Sequence, residues 1–310
     1  MNCTPGCLTI DALAERAVHE CLCEYCQEIV SRDLRGRIAR LVKEEIAGGA
    51  DEKKKRHDQF FGVLFKAVAP YKQEFKAMLK TVWDEEKRII VANLKKMKKA
   101  WMTKDAISQI LYPVRTFEKK LADGTIKIFR ALMDKEGQRI VAVYDLDIVF
   151  DIDNPEVQRW LETYTPKFSK NLEAVNVERL RTELSEGMKA GESIQELTRR
   201  IYETYEDWGF RRAELIARTE TLRASNEAAL ETYRQSGVVE KKIWITYMDD
   251  RTCEECDGLD GSVEELGEDF KGGIDGPPLH PRCLLPGTVC IPAGNLISAF
   301  RAWYDGQAIE

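Results

Sequence analysis

Residues 191–237 read GESIQELTRRIYETYEDWGFRRAELIARTETLRASNEAALETYRQSG, and their local chemistry predicts two helices in succession. The Ser193 hydroxyl can accept from the backbone of Glu196 while the Glu196 carboxylate reaches back, a capping box that opens a helix. That helix is expected to end near Trp208-Gly209. A second is expected from Phe210 to Ser236, where Gly237 can take the left-handed cap. Upstream, a helix is expected from about Asn176 to Lys189, ending at Gly191. Downstream, KKIWITYM (241–248) puts Ile243, Ile245 and Tyr247 on one face and Lys242, Trp244 and Thr246 on the other, the pattern of a half-buried strand. From there to Cys283 the chain is rich in turns, Gly and Pro. The fold class is therefore α+β and mostly helical, with a small β region after the helices.

Working toward the N-terminus, Asp151–Pro155 reads as a turn. Pro155 suits a first helical position, with helix through Trp160. Thr125 to Phe129 and Ile140 to Tyr144 are rich in β-branched residues around a turn-like Asp134–Gly137, which predicts a hairpin. Val114 to Leu121 reads as helix after a break at Tyr112-Pro113. Phe60 to Tyr112 reads as a long amphipathic helix, kinked or interrupted at Pro70, with Leu64, Val68, Phe75, Leu79 and Val82 on its apolar side. The run Asp51 to Arg56 is a linker or a helix start. Residues 31–48 read as helix stopping at Gly48-Gly49, and Asp11 to Val30 also has helical periodicity. These boundaries divide the chain into a Cys-containing helical segment (1–49), a long-helix region (50–150), a helical-plus-small-β domain (151–283) and a tail (284–310).

The 310 residues are 44% apolar and 32% charged, enough for about two domains with real cores. The net charge of −6, from 47 basic and 53 acidic side chains, lacks the basic excess of a dominant nucleic-acid binder. Lys95, Lys96, Lys98 and Lys99, just before Trp101, are a local exception, read either as a phosphate or acidic-partner patch or as a solvated helix face. No run of about 18 apolar residues predicts a membrane span, and the first residues do not read as a secretory signal. Synthesis in a cytoplasm is expected, where the nine cysteines stay reduced and need another explanation.

Two groups of them suggest metal. Cys253 and Cys256 are two residues apart, as are His280 and Cys283, and together they form a Cys₃His set suited to tetrahedral zinc. In so short a β region a metal would stand in for a missing apolar core. The alternative is that the thiols pack as small apolar groups and His280 caps a turn. Cys3, Cys7, Cys23 and Cys26 form a weaker candidate set, with Cys21 beside them on the helix. Asp249, Asp250 and Asp257 could bind magnesium, but acidic groups more often cap turns. A His-based nuclease is disfavoured, because His19, His57 and His280 leave no second histidine near the site as base.

The segment Ile216-Ala217-Arg218-Thr219-Glu220-Thr221, then Asn226, Tyr233, Gly237-Val238, Lys242-Ile243-Trp244, Asp250-Arg251-Thr252-Cys253-x-x-Cys256-x-x-Leu259-Asp260-Gly261 and Pro277-Pro278-x-His280-Pro281-x-Cys283 resembles the head-morphogenesis domain of phage Mu F-like minor head proteins. The Gly187-x-x-x-Gly191-x-Ser193-Ile194 junction fits the same pattern, and the resemblance spans about residues 150–283. It implies a virion protein of the head interior or portal vertex, assembled in the host cytoplasm. Its implied partners are the portal protein and major capsid or scaffold proteins, with packaged DNA as a further contact. It implies a role in head assembly, DNA packaging or delivery, and no enzymatic activity. Within the motif helix, Glu214 with Arg218 and Glu220 with Arg223 are spaced as helical ion pairs. They read as a surface row, or else Arg218 or Glu220 ties this helix to the metal-bearing β region or forms a partner surface.

The pattern departs from the family after Cys283, where Arg-Cys usually follows. Leu284-Leu285-Pro286-Gly287-Thr288-Val289 and Trp303-Tyr304-Asp305-Gly306 resemble the start of an intein or related Hint domain. That resemblance implies Cys283 as a nucleophile attacking its preceding carbonyl. No histidine follows His280 and only Asn295 follows Cys283, so splicing is not expected to be completed by these residues. The alternatives are a divergent tail that extends the β region, a self-processing precursor, and a zinc-bearing DNA-binding module.

Overall fold

The computed structural model describes residues 50–97, 104–111, 114–246, 252–280 and 288–293. The chain divides between Lys53 and Lys54 into two compact units. Cys3, Cys7, Cys21, Cys23, Cys26, Lys98, Lys99, Trp101, Asp249, Asp250 and Cys283 lie outside the described residues.

Helix α1 runs Ala50–Lys96, so the charged run from Asp51 is a helix start, and the helix continues through Pro70. Its buried side chains, Phe61, Leu64, Val68, Phe75, Leu79, Val82, Trp83, Glu86, Ile90 and Leu94, recur at steps that keep one stripe inward. It stops earlier than the expected Tyr112, and a short α2, Lys104–Ile110, follows.

Helix α3, Val114–Val143, replaces the expected hairpin. Leu121, Thr125, Ile128, Phe129, Leu132, Met133, Ile140 and Val143 are all buried at helical spacing, and packing of that stripe overrides the strand preference of the β-branched residues. Gly137 is a close-approach glycine rather than a turn residue. A Cβ there would lie 2.3 Å from the Phe150 ring.

Helix α4, Pro155–Lys189, starts where expected, with Asn154 accepting from the Glu156 backbone at 2.8 Å. It does not stop near Trp160 or restart near Asn176. It runs through Pro166 as one piece of 35 residues. The capping box then opens α5, Ile194–Asp207, with Glu196 Oε2 accepting from the Ser193 N–H at 2.6 Å and Ser193 Oγ from the Glu196 N–H at 3.3 Å.

The expected end near Trp208-Gly209 is not an end. The chain passes through a π-helical turn, Trp208–Arg212, straight into α6, Ala213–Ser236. Gly237 closes α6 in the left-handed conformation, φ 65°. Ala213, Ala217, Thr221, Ala224, Ala228, Ala229 and Thr232 are buried around α6, and these small side chains let neighbours approach it from several sides. Aromatic contacts join the helices: Phe75 stacks on Phe129 at 5.5 Å, Phe129 on Trp160 at 5.9 Å, and Trp83 meets Trp208 at 5.8 Å.

The β region is an antiparallel sheet in the order β2-β1-β3, with β1 Lys241–Thr246, β2 Val263–Glu265 and β3 Thr288–Ala293. Ile243 pairs with Val263 on one side and Ile291 on the other. Strand β1 is buried on both faces rather than half-buried. Tyr144, Leu146, Leu230, Tyr233, Trp244, Leu259 and Phe270 form a shared apolar cluster with the ends of α3 and α6. The β region therefore shares an apolar core with α3 and α6, and a metal there would add to that packing. Each of these large buried side chains is worth roughly 1.5–3 kcal/mol.

Candidate metal centre

Cys253 sits in extended conformation immediately before a single helical turn, α7, Glu254–Asp257. The turn is closed by the Asp257 N–H donating to the Cys253 carbonyl at 2.9 Å. A two-residue spacing across such a turn puts both sulfurs on one side. His280 arrives from the following loop, with Nε2 3.1 Å from Cys253 Sγ and 3.5 Å from Cys256 Sγ. All three donor atoms lie within 4.8 Å of one another. Zn–S and Zn–N bonds of about 2.3 and 2.0–2.1 Å in tetrahedral geometry require S···N near 3.5 Å and S···S near 3.8 Å. The Cys256–His280 spacing matches that tetrahedron, and the Cys253–His280 spacing must open by about 0.4 Å to meet it. Cys256 is buried, while Cys253 and His280 are half-buried. The fourth expected ligand, Cys283, lies outside the described residues. Asp257 is exposed.

Both halves of the donor set hang from β1. Thr246 Oγ1 donates to the Cys256 carbonyl at 3.1 Å and accepts from Trp244 Nε1 at 3.1 Å. The Thr246 N–H donates to Asp260 Oδ1 at 2.8 Å, pinning the far end of the cysteine turn. Lys242, with no exposed surface, donates its ammonium to the Asp275 carbonyl at 2.7 Å and to the Asp275 carboxylate, in the loop that carries His280. Lys242, Trp244 and Thr246 share one face by the two-residue period of a strand. That is the face opposite Ile243 and Ile245, and it supports the site.

The motif helix is tied differently from either reading of its charges. Glu220 is buried, accepts from the Tyr164 hydroxyl at 2.6 Å and lies 3.7 Å from Arg223. Burial raises its carboxyl above the ordinary range despite Arg223. The expected Glu220–Arg223 pair is present, but Glu220 joins α6 to α4 rather than to the β region. Glu214 takes Lys72 and Lys76 of α1 at 2.7 and 2.6 Å, and these hydrogen bonds hold its carboxyl below the ordinary range. The bond from α6 to the metal-bearing region comes from Arg234, which reaches the Asp275 carboxylate.

Comparison with known proteins meets this geometry at its sequence. Residues 178–284 match the family described as Phage Mu protein F like protein. The matched segment runs from within α4 to just past Cys283 and contains Cys253, Cys256 and His280. It begins later than the resemblance at about residue 150 suggests. An uncharacterized protein of Bacillus subtilis (strain 168), YqbB, is 24% identical over 166 residues, covering 53% of this chain and 54% of that protein. The chain thus spans about half the length of this curated relative. No solved structure matches. No helix among the described residues is long and apolar enough to cross a membrane.

A second cluster gave no signal in the sequence. At the π-helical turn, Glu86 of α1 and Glu173 of α4 are fully buried together with Asn176 and Tyr205. Burial raises both carboxyls; the neighbouring Glu86 charge raises Glu173 further, while the Glu173 and Tyr205 side chains partly offset the rise at Glu86. Asn176 Nδ2 lies 3.3 Å from Glu173 Oε2, and Arg212 donates to Asn176 Oδ1 at 2.7 Å. The Arg212 guanidinium lies over the Trp208 ring at 4.8 Å and the Trp83 ring at 5.7 Å. Each glutamate alone looks like an ordinary helix residue; only the packing of α1 on α4 brings them together.

Proposed function

We propose that this chain is a minor head protein of a tailed phage, a virion component that acts at the portal or inner shell in head assembly, DNA packaging or delivery. The observation that carries this is the family match over residues 178–284, which falls on the α4-to-β segment with its motif residues in order. In the same reading, zinc held by Cys253, Cys256 and His280, with Cys283 as fourth ligand, fixes the β region against the helices. The donor set supports zinc through its softness and its distances. Portal protein and major capsid or scaffold proteins are the proposed partners, and no catalytic role is assigned.

The tail bears on a second reading, a self-processing precursor with Cys283 as nucleophile. Strand β3 pairs with β1 along six positions, from Lys241 opposite Ala293 to Thr246 opposite Thr288. That pairing supports the simpler alternative, a tail that extends the β region. A zinc-bearing DNA-binding module has less behind it: Lys95 and Lys96 are exposed, but the net charge is −6.

The test is to purify particles from a producing culture, measure the chain against portal protein by mass spectrometry, and measure zinc in the isolated protein. The expected result is a few copies per particle and about one zinc per chain. Absence from particles overturns the head reading, and absence of zinc overturns the metal reading.

A further inference from the structure

We propose that Asp275 is a positioning residue for the metal centre, clamping the His280 loop to β1 through Lys242 and to α6 through Arg234. This rests on the metal reading above and extends it to a residue outside the donor set.

The loop from Phe270 to His280 has little of its own to hold it. A single bridge joins Phe270 and Ile274. Gly272 and Gly273 adopt φ 105° and 73°, conformations open mainly to glycine, so this stretch has much backbone freedom to lose. Ile274 and Leu279 pack on the core cluster and Pro277 and Pro278 are buried, and two further anchors fix the stretch before them. The Phe270 ring packs edge-on to Trp244 at 5.2 Å. The Asp275 carboxylate then receives one cation on each oxygen, Lys242 on Oδ1 and Arg234 on Oδ2.

The two cations come from different elements. Lys242 is fully buried on β1 and also lies 5.1 Å from the Phe270 ring centroid. Arg234 is in the last turn of α6 and is held in turn by Glu231 at 3.3 Å and Glu227 at 3.6 Å. Cys256 is fixed to the same strand separately, through Thr246, and Cys253 follows through the helical turn. With the packed stretch from Pro277 to Leu279, Asp275 therefore helps set where the imidazole stands relative to the two sulfurs. An asparagine keeps the size but not the second charge-assisted bond, and a glutamate places the carboxylate one methylene too far out.

Coupling of this kind is reciprocal. A metal that fixes His280 should steady Asp275 and, through Arg234, the end of α6.

The experiment uses the full chain, stripped of metal under reducing conditions and titrated with cobalt(II), then competed with zinc. Thiolate-to-cobalt absorption reads the ligand set. The wild-type chain, Asp275→Asn, Asp275→Glu and Arg234→Gln are compared, with helical circular dichroism of each metal-free chain as the folding control. Losing a residue that orients a ligand weakens metal affinity by about 10–100-fold. That loss is expected for Asp275→Asn, a smaller one for Arg234→Gln, with helix content unchanged. In hydrogen exchange, metal should slow residues 234–237 in the wild type and not in Asp275→Asn. Affinities of Asp275→Asn, Asp275→Glu and Arg234→Gln all within twofold of wild type overturn the proposal while leaving the metal reading intact. If Asp275→Asn loses its helical signal, Arg234→Gln alone decides by the same criterion. A wild-type chain that binds neither cobalt nor zinc overturns the metal reading, and this proposal with it.

Discussion

Glu173→Gln should make the protein less sensitive to alkali. Glu86 and Glu173 are buried side by side, and burial raises both carboxyls. In the folded chain the pair keeps protons that the unfolded chain releases near the ordinary value of 4.5. The sign follows from linkage. A group whose folded pKa is raised contributes stability that is fully present below the unfolded pKa and is lost as pH rises toward the folded one. Each retained proton costs about 1.4 kcal/mol per pH unit over that window. Between pH 5.5 and 8, one retained proton amounts to about 3 kcal/mol, or a fall of roughly 6–12 °C in Tm for a unit of this size. Glutamine cannot titrate, and its amide can donate to Glu86, so the variant should lose most of that slope. Glu220, Glu227 and Glu231 are also raised by burial, Glu227 to about 7, but they remain in both proteins and cancel in the difference. The assay is urea unfolding at several pH values across this range, followed by helical circular dichroism and by tryptophan fluorescence, since Trp83 and Trp208 flank the cluster. Parallel stability–pH curves for the two proteins would refute the reasoning.

Ser193→Ala removes the hydroxyl half of the capping box and should cost about 1 kcal/mol, seen in melting and in faster amide exchange over the first turn of α5. Gly137→Ala should cost about 1–3 kcal/mol because its Cβ would meet the Phe150 ring at 2.3 Å. Gly62→Ala, with nothing within 4 Å of its Cβ, should instead gain up to about 1 kcal/mol of helix stability; equal melting temperatures for these two glycine variants would be the contrary result.

What the sequence revealed was carried by side chains that act on neighbours a few residues away. Ser193 and Glu196 cap, Pro155 starts a helix and Gly237 ends one, each by a mechanism complete within a turn. Cys253 and Cys256 were legible for the same reason, and His280 by its own proximity to Cys283. The misread elements needed distant partners. Thr125, Ile126, Ile140 and Val141 lean toward strand until the helices that cover α3 are in place. The stretch between Trp160 and Asn176 carries no strong local helix signal, yet α4 runs through it. Strand β1 looked half-solvated because Lys242 is charged, and only Asp275, 33 positions later, makes its burial tenable. No local pattern could pair Glu86 with Glu173.

The π-helical turn between α5 and α6 makes this joint a place where the count of residues matters as well as their kind. Trp208 to Arg212 carry the chain from one helix into the next without a loop to absorb a change in length. Deleting or inserting one residue there would turn everything downstream by about 100° about the helix axis. Ala217, Ala224 and Ala228 would then leave the positions that neighbouring helices approach, and Glu214 would swing off Lys72 and Lys76. Among relatives this stretch should hold its length as well as Trp208 and Arg212, with insertions gathering instead in the turns at either end of the two helices.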